Sequence, residues 1–175
     1  MNDIPHPPLS TAGAEDCHTT LVIVDMQERL RAANHKPTLV AVKKLLNLAM
    51  KNGWGIVFLE IKNQFEEYGP TIPELLHITR NHPRRFRLVK DEKDGSLQVA
   101  QAVEEGNLET GRFVLAGVNL DACVVFTANG LARLFIESSI EVVCQACHSE
   151  NPAMWDTWSA FVAHDSISLV SLSNG

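Results

Sequence analysis

The regular alternation of apolar, β-branched runs with segments of helical periodicity constrains the fold of this chain more than any other feature. The first apolar run spans residues 20–24, and further strands are predicted at about 55–61, 86–90, 113–118, 140–144 and 166–172. Helices are predicted between them at about 37–52, 70–80, 96–106 and 121–137, with another starting at Asn151. Strands that are apolar on both faces and alternate with helices are typical of a parallel sheet. We therefore predict a three-layer α/β/α architecture with a six-stranded parallel sheet of order 3-2-1-4-5-6.

Length and charge limit what such a chain can do. Its 175 residues, 45% of them hydrophobic, suit one globular domain, which we place at residues 19–175 after an N-terminal arm at 1–18. A formal net charge of −6 argues against nonspecific binding to nucleic acid or to an anionic membrane. The first residues lack an apolar signal-peptide core, and no window is apolar enough to span a membrane. We expect a cytoplasmic protein with reduced cysteines that acts on a small-molecule substrate.

Three chemistry-bearing residues lie at or beyond the carboxyl ends of predicted strands. Asp25 follows the first strand, Lys90 ends the third and Cys123 lies just beyond the fourth. In the predicted order, the first and fourth strands are neighbours at the switch point where open α/β sheets bind their ligands. A carboxylate, an ammonium group and a thiol at one place are suited to nucleophilic acyl transfer, with Asp25 accepting the thiol proton.

The pattern also predicts how the thiol is activated. If Asp121 caps the following helix, Cys123 lies in its first turn, where the helix dipole and Lys90 would lower the pKa of the thiol. Taken singly, such residues are often a turn aspartate, a solvated lysine and a core cysteine, but their convergence favours catalysis. Lys93 competes for the catalytic role. Lys90 is favoured because it ends an apolar run, whereas Lys93 lies in a polar loop.

The same segments resemble a known family. The strand Leu21-Val-Ile-Val-Asp25-Met-Gln27, the lysine that closes a later strand, and Gly117-Val-Asn-Leu-Asp-Ala-Cys123-Val-Val-Phe-Thr-Ala128 are similar to the signatures of the isochorismatase-like cysteine hydrolases. The similarity covers about residues 21–172 and implies the Rossmann-like fold of that family. It also implies a catalytic triad of Asp25, Lys90 and Cys123. A cis peptide bond between Val118 and Asn119 is implied as well, with an oxyanion hole formed by the N–H groups of Asn119 and Cys123.

Departures from the family pattern refine the expected activity. Nicotinamidases of this superfamily carry an Asp-x-His metal motif after the second strand, but this chain reads Glu60-Ile-Lys-Asn63, so no metal and no cofactor are implied. True isochorismatases lack the cysteine, and its presence favours C–N hydrolysis. We therefore predict a metal-independent cysteine hydrolase of a small amide or carbamoyl compound, with Gln27, Phe65 and Tyr68 lining the substrate pocket. Because the fifth strand ends Cys144-Gln-Ala rather than Asp-Ala, a catalytically silent member that binds a ligand or protein partner is the alternative.

Three further signals have other interpretations. The segment Cys144-Gln-Ala-Cys147-His148 matches the haem-attachment pattern C-x-x-C-H, but it follows a strand and has no second cysteine pair for zinc. We expect Cys144 in the core and Cys147 and His148 near the pocket rim. The basic cluster at residues 80–87 could hold a phosphate or a nucleic-acid strand, although a solvated loop is favoured. Trp155 points off the apolar stripe of the last helix and could face a neighbouring subunit, and we expect a homo-oligomer.

Overall fold

The predicted parallel sheet is present, in the predicted order. The structure, a computed structural model, describes residues 6–9, 18–62, 67–151, 153, 158, 160 and 162–172. Within these ranges, one six-stranded parallel sheet has the order β3-β2-β1-β4-β5-β6. Its strands are β1 (Thr19–Val24), β2 (Gly55–Ile61), β3 (Arg85–Lys90), β4 (Arg112–Val118), β5 (Ser139–His148) and β6 (Ile167–Val170). The α-helices are α1 (Lys36–Asn52), α2 (Pro73–Ile78), α3 (Ser96–Gly106) and α4 (Val125–Leu134).

Helices pack on both faces of the sheet, as alternation along the strands requires. In β1, Leu21 and Ile23 belong to the apolar cluster that includes α1, whereas Val22 and Val24 belong to the cluster that includes α3 and α4. Val24 pairs with Leu59 of β2 on one side and with Gly117 of β4 on the other. The carboxyl ends of these three strands are therefore level, which brings the residues that follow them to one place. None of the helices in the described ranges is long and apolar enough to cross a membrane.

Several elements differ from the prediction because tertiary contacts override the local pattern. Strand β5 continues to His148, since the chain bulges where Leu115 pairs with Val142 and Gly117 with Cys147. Helix α2 begins only at Pro73, because the Thr71 and Ile72 N–H groups donate to the Glu60 carboxylate and the Met26 carbonyl. The predicted last helix lies largely outside the described residues.

Two helix starts also differ from the prediction. Ser96 is the first residue of α3 rather than its cap, because its N–H donates to the Asp94 carboxylate at 2.9 Å. The chain before α4 forms a π-helical turn, Leu120–Val124, instead of regular α-helix from Asp121. The turn delays the α-helix by about one turn and changes how Cys123 is presented.

Residues 6–9, which the sequence places in a polar arm, are anchored beside the end of β6. The Leu9 N–H donates to the Ser171 carbonyl at 2.7 Å, and the Ser171 N–H donates to the Pro7 carbonyl at 2.9 Å. The Leu9 side chain is buried in the same apolar cluster as α1. This part of the arm therefore extends the edge of the sheet.

Close approach between β4 and β1 depends on one glycine. Gly117 has a φ of 128°, in the region that only glycine adopts freely, and a Cβ at this position would collide with the Val24 carbonyl group. Gly53, the residue after α1, also has a positive φ, of 66°, but a Cβ there would meet nothing within 4 Å. The two glycines thus share a backbone requirement and differ in the space around them.

We expect Gly117→Ala to destabilise the protein by more than about 3 kcal/mol, because it adds a backbone collision to an unfavourable φ. The control Gly53→Ala, which has only the unfavourable φ, should cost about 1–2 kcal/mol. Urea unfolding of both variants measures the difference. Equal losses would show that β4 does not need the close approach to β1.

Candidate active site

Asp25, Lys90 and Cys123 meet at the carboxyl edge of the sheet. The Lys90 Nζ atom lies 3.0 Å from Asp25 Oδ2, and the Cys123 thiol is close enough to both residues for their charges to shift its pKa. Lys90 is completely buried, Asp25 is 1% exposed and Cys123 is 7% exposed. The structure therefore brings together all three residues that the sequence predicts, in a site that is almost closed to water.

The backbone at the end of β1 positions Asp25. This residue has a φ of 51°, in the left-handed region that Asp tolerates better than most residues. Its N–H donates to the Leu59 carbonyl at 3.0 Å, and its carbonyl accepts the Gln27 N–H at 2.8 Å. The strand thus ends in a tight turn that is held by β2.

The Lys90 side chain reaches across the end of β2, and its ammonium group has three polar contacts. Besides Asp25, its ammonium group donates to the carbonyl groups of Glu92 at 3.1 Å and Lys93 at 3.3 Å. Two of the three donors of this ammonium group therefore have backbone acceptors, and the ion pair with Asp25 is its third polar contact. Lys93, the alternative in the sequence, is exposed, with its own ammonium group 5.9 Å from the Phe126 ring centroid. Of the two lysines, Lys90 is the one that lies beside Asp25.

The turn that carries Cys123 begins with a cis peptide bond between Val118 and Asn119, as the family resemblance implies. The Asn119 carbonyl accepts the N–H groups of Ala122 and Val124, both at 3.1 Å. Asp121 does not cap the helix as predicted, because its carboxylate accepts the Ser149 hydroxyl at 2.8 Å. The π-helical turn is therefore held at its start by Asn119, and Ser149, the residue after β5, binds its Asp121 side chain.

The predicted activation of the thiol is wrong in its direction. The pKa of Cys123 is raised to about 12, because burial and the negative charge of Asp25 outweigh the opposing effect of Lys90. Burial also raises the pKa of Asp25 above its ordinary value, despite the adjacent lysine. At rest the site therefore holds a protonated thiol beside a carboxylate–ammonium pair.

This charge arrangement suits internal proton transfer. Releasing the thiol proton to solvent would leave an additional buried negative charge, which burial opposes. Moving the same proton to Asp25 creates a thiolate and neutralises a carboxylate, so the net charge of the site does not change. A raised pKa also makes Asp25 a stronger base than an exposed aspartate. The geometry thus favours Asp25 as the acceptor of the thiol proton.

The side-chain amide of Gln27 is not free, because it is hydrogen-bonded to the backbone. Its Nε2 group donates to the carbonyls of Ile61 at 3.2 Å and Gly69 at 2.7 Å, and its Oε1 atom accepts the Ile61 N–H at 2.8 Å. Gln27 and Tyr68 line a cavity of about 380 Å³ together with Val89. The described residues that line this cavity do not include Asp25, Lys90 or Cys123. The predicted pocket residue Phe65 lies outside the described residues.

The residues at the metal-motif position do not fit a divalent metal. The buried Glu60 carboxylate accepts the Thr71 N–H at 2.6 Å and hydroxyl at 2.8 Å, and it lies 3.5 Å from the Arg87 guanidinium. Lys62 supplies an ammonium group where the motif has a histidine. Among the described residues, no group of three or more His, Cys, Asp or Glu side chains could hold a metal ion.

Within the C-x-x-C-H segment, the predicted placement of the two cysteines is reversed. Cys147 is buried and Cys144 is only half-buried, because the extended, bulged β5 carries both. The His148 ring stacks on the His35 ring, with centroids 3.9 Å apart. These histidines line a cavity of about 590 Å³ with Arg31 and Glu150. The histidine pair therefore lies at the carboxyl edge of the sheet, whereas Cys147 is part of the core.

Comparison with solved structures identifies the fold. The nicotinamidase of Staphylococcus aureus superposes with a TM-score of 0.71 at 17% identity, covering 87% of this chain and 97% of that one. N-carbamoylsarcosine amidase from Thermoplasma acidophilum gives a TM-score of 0.67 at 17% identity, with coverages of 90% and 99%. An octameric hydrolase of unknown specificity from Escherichia coli gives 0.68 at 20% identity, with coverages of 89% and 76%. The chain has the isochorismatase-like hydrolase fold.

Sequence comparison is less sensitive than structure for this chain. No protein-family model and no curated protein matches the sequence. The isochorismatase-like fold is therefore established by the course of the backbone, at identities of 17–20% to these three structures. Such identities carry the fold alone, so activity has to be argued from the site.

We expect Lys90→Met to destabilise the protein by about 3–5 kcal/mol, because it leaves the Asp25 carboxylate buried without its cation. The double variant Asp25→Asn/Lys90→Met should recover most of that loss, since it removes both charges. Lys93→Met, at an exposed lysine nearby, should stay within about 0.5 kcal/mol of the parent protein. Denaturant unfolding gives all three values. If the double variant lost as much as Lys90→Met, the buried pair would not be the source of the cost.

Proposed function

We propose that this protein is a metal-independent cysteine hydrolase that cleaves the C–N bond of a small amide or carbamoyl compound. The observation that carries the proposal is the buried Asp25–Lys90 ion pair in contact with the Cys123 thiol. Two solved structures with the same fold are named for enzymes that act on nicotinamide and on N-carbamoylsarcosine. Both names describe compounds with a carbonyl group bonded to nitrogen, which is the electrophile that this site suits.

Asp25 acts twice in the proposed reaction. It first accepts the thiol proton while the Cys123 sulfur bonds to the substrate carbonyl carbon, giving a tetrahedral oxyanion. The C–N bond then breaks as Asp25 returns the proton to the leaving nitrogen, and ammonia or an amine departs from a Cys123 thioester. Asp25 next takes a proton from water, whose oxygen attacks the thioester. Collapse of that intermediate releases the acid and restores the thiol proton.

The proposed oxyanion hole lies in the turn between β4 and α4. By the family resemblance, the N–H groups of Asn119 and Cys123 donate to the developing oxyanion, with Val118 as the other residue of the cis bond. Asn119 immediately precedes the π-helical turn and Cys123 lies within it, so both N–H groups belong to the same short segment as the nucleophile. Backbone donors held in this way need little reorganisation during reaction, which is the basis of their catalytic effect. Lys90 keeps the carboxylate in place and stabilises negative charge on sulfur.

We also propose that the protein forms a homo-oligomer. The Escherichia coli structure with this fold is octameric. Exposed apolar side chains on this chain include Leu97 of α3, Phe126 of α4 and Ile136, with exposed fractions of 69%, 48% and 78%. Burying these side chains against another copy would remove apolar surface from water.

A panel of primary amides, carbamoyl compounds and ureido acids should contain at least one substrate. Cys123→Ser should lower its turnover by at least about 10³-fold, because it removes the nucleophile. The control Cys144→Ala should retain turnover, and so should the parent protein in EDTA. The measurement is release of ammonia or amine over time.

Each other outcome assigns the function differently. Loss of turnover in EDTA would contradict the metal-independent mechanism. Turnover that survives in Cys123→Ser would show that the nucleophile lies elsewhere. Silence across the panel, with no acyl group trapped on Cys123 by any compound, would favour a catalytically silent protein that binds a ligand or a partner.

A further inference from the structure

A short loop encloses the Lys90 ammonium group, and helix α4 holds this loop. The Lys90 loop, residues 91–95, supplies the carbonyl groups of Glu92 and Lys93 that accept hydrogen bonds from Lys90 Nζ. At the end of the loop, the Gly95 N–H donates to the Thr127 hydroxyl oxygen of α4 at 3.0 Å. Helix α4 follows directly from the π-helical turn that carries Cys123. Helix α4 thus connects the turn that carries Cys123 with the loop that holds the Lys90 ammonium group.

Contacts with the Lys90 loop recur along one side of α4. Thr127, Gly130 and Arg133 are spaced by three positions and so lie on one face of the helix. The Arg133 guanidinium donates to the Asp94 carboxylate at 3.2 Å. A Cβ at Gly130 would collide with Asp94 and with the Ser96 hydroxyl, so the glycine allows the loop to lie against the helix.

Thr127 makes the buried polar contact in this row. Its side chain is completely buried, whereas the Arg133 side chain is 58% exposed, so the Arg133–Asp94 pair is largely screened by water. The space inside the loop is also tight, since a Cβ at Gly95 would lie 2.9 Å from Lys90 Cδ. A displacement of the Gly95 backbone would therefore be transmitted directly to the lysine side chain.

We propose that Thr127 is a positioning residue: by holding the Gly95 amide, it fixes the Lys90 loop so that the Glu92 and Lys93 carbonyls keep the Lys90 ammonium beside Asp25 and Cys123. This inference rests on the proposed function, because it gives Lys90 a catalytic task. Thr127 itself acts only through the loop. The sequence motif contains this threonine, but nothing in the sequence indicates that its partner is an amide 32 positions earlier.

Loss of the Thr127 contact would change the electrostatics of the site, and this effect can be distinguished from a loss of packing. Lys90 lowers the pKa of Cys123, whereas Asp25 and burial raise it. A Lys90 ammonium that moves away would leave the thiol harder to deprotonate. The other charged groups of the loop and of the helix face against it are Asp91, Glu92, Lys93 and the Asp94–Arg133 pair.

The test is the rate at which iodoacetamide alkylates Cys123 between pH 7 and pH 9, with the modified residue located by mass spectrometry. Well below the pKa of a thiol, the logarithm of this rate rises linearly with pH. A variant in which the thiol pKa is higher therefore gives a parallel line at lower rates. Thr127→Val keeps the shape of the side chain and removes the acceptor, and we expect alkylation to be about threefold to tenfold slower. Thr127→Ser keeps the hydroxyl group and should restore the rate to within about twofold. The control Thr79→Val, at another fully buried threonine remote from the loop, should match the parent protein.

A Thr127→Val line that superposes on the parent line, while Lys90→Met lowers it, would overturn the positioning role and leave the proposed function intact. Failure of the proposed function would show instead as the absence of thiol-dependent turnover in the amide panel. If Thr127→Val does not fold, or if the buried Cys123 of the parent protein reacts too slowly to follow because its pKa is raised, hydrogen exchange of the Gly95 amide in the parent protein decides. We expect this amide to be protected, although it lies at the end of a loop. Exchange at the rate of a free amide would refute the inference.

Discussion

The site depends on one buried ion pair, Asp25–Lys90. Two charges removed from water are costly unless their mutual attraction and further hydrogen bonds compensate for lost hydration. This protein supplies those bonds from the backbone, with two carbonyl groups of the loop after β3 for the ammonium group. The level strand ends of β1, β2 and β4 bring the pair and the thiol together. Much of the local structure around the site therefore serves to hold two charges in a nearly dry place.

The same burial determines where the proton resides. An exposed cysteine beside a lysine would be expected to ionise more easily, but here desolvation and the Asp25 charge raise the pKa of Cys123. The thiol then stays protonated until a proton transfer to Asp25 can proceed without changing the net charge. A resting site of this kind has little free thiolate to react with adventitious electrophiles. In the proposed reaction, the thiolate is generated only when a carbonyl group is positioned beside the sulfur.

Periodicity was sufficient to predict the strand order and the meeting of Asp25, Lys90 and Cys123, because apolar alternation and topology rules determine which strand ends are neighbours. The direction of the pKa shift could not be predicted, since the degree of burial at Cys123 depends on how α4 and the loops pack. The sequence also does not predict the backbone hydrogen bonds of the Gln27 side-chain amide or the extension of β5 to His148. Both depend on pairings between segments that are far apart in the chain. The local sequence pattern thus predicts which residues meet, whereas tertiary packing determines the direction in which the pKa of Cys123 is shifted.

The resting position of the proton is the central claim, and the ultraviolet absorbance of thiolate tests it most directly. The spectrum of the parent protein minus that of Cys123→Ala, recorded across pH, isolates the Cys123 thiolate. We predict no such signal below about pH 10, since burial and Asp25 hold the thiol pKa near 12. In Asp25→Asn, which removes the negative charge, the signal should move to lower pH while turnover is lost with the base. A Cys123 thiolate already present at neutral pH in the parent protein, or an upward shift in Asp25→Asn, would contradict the account.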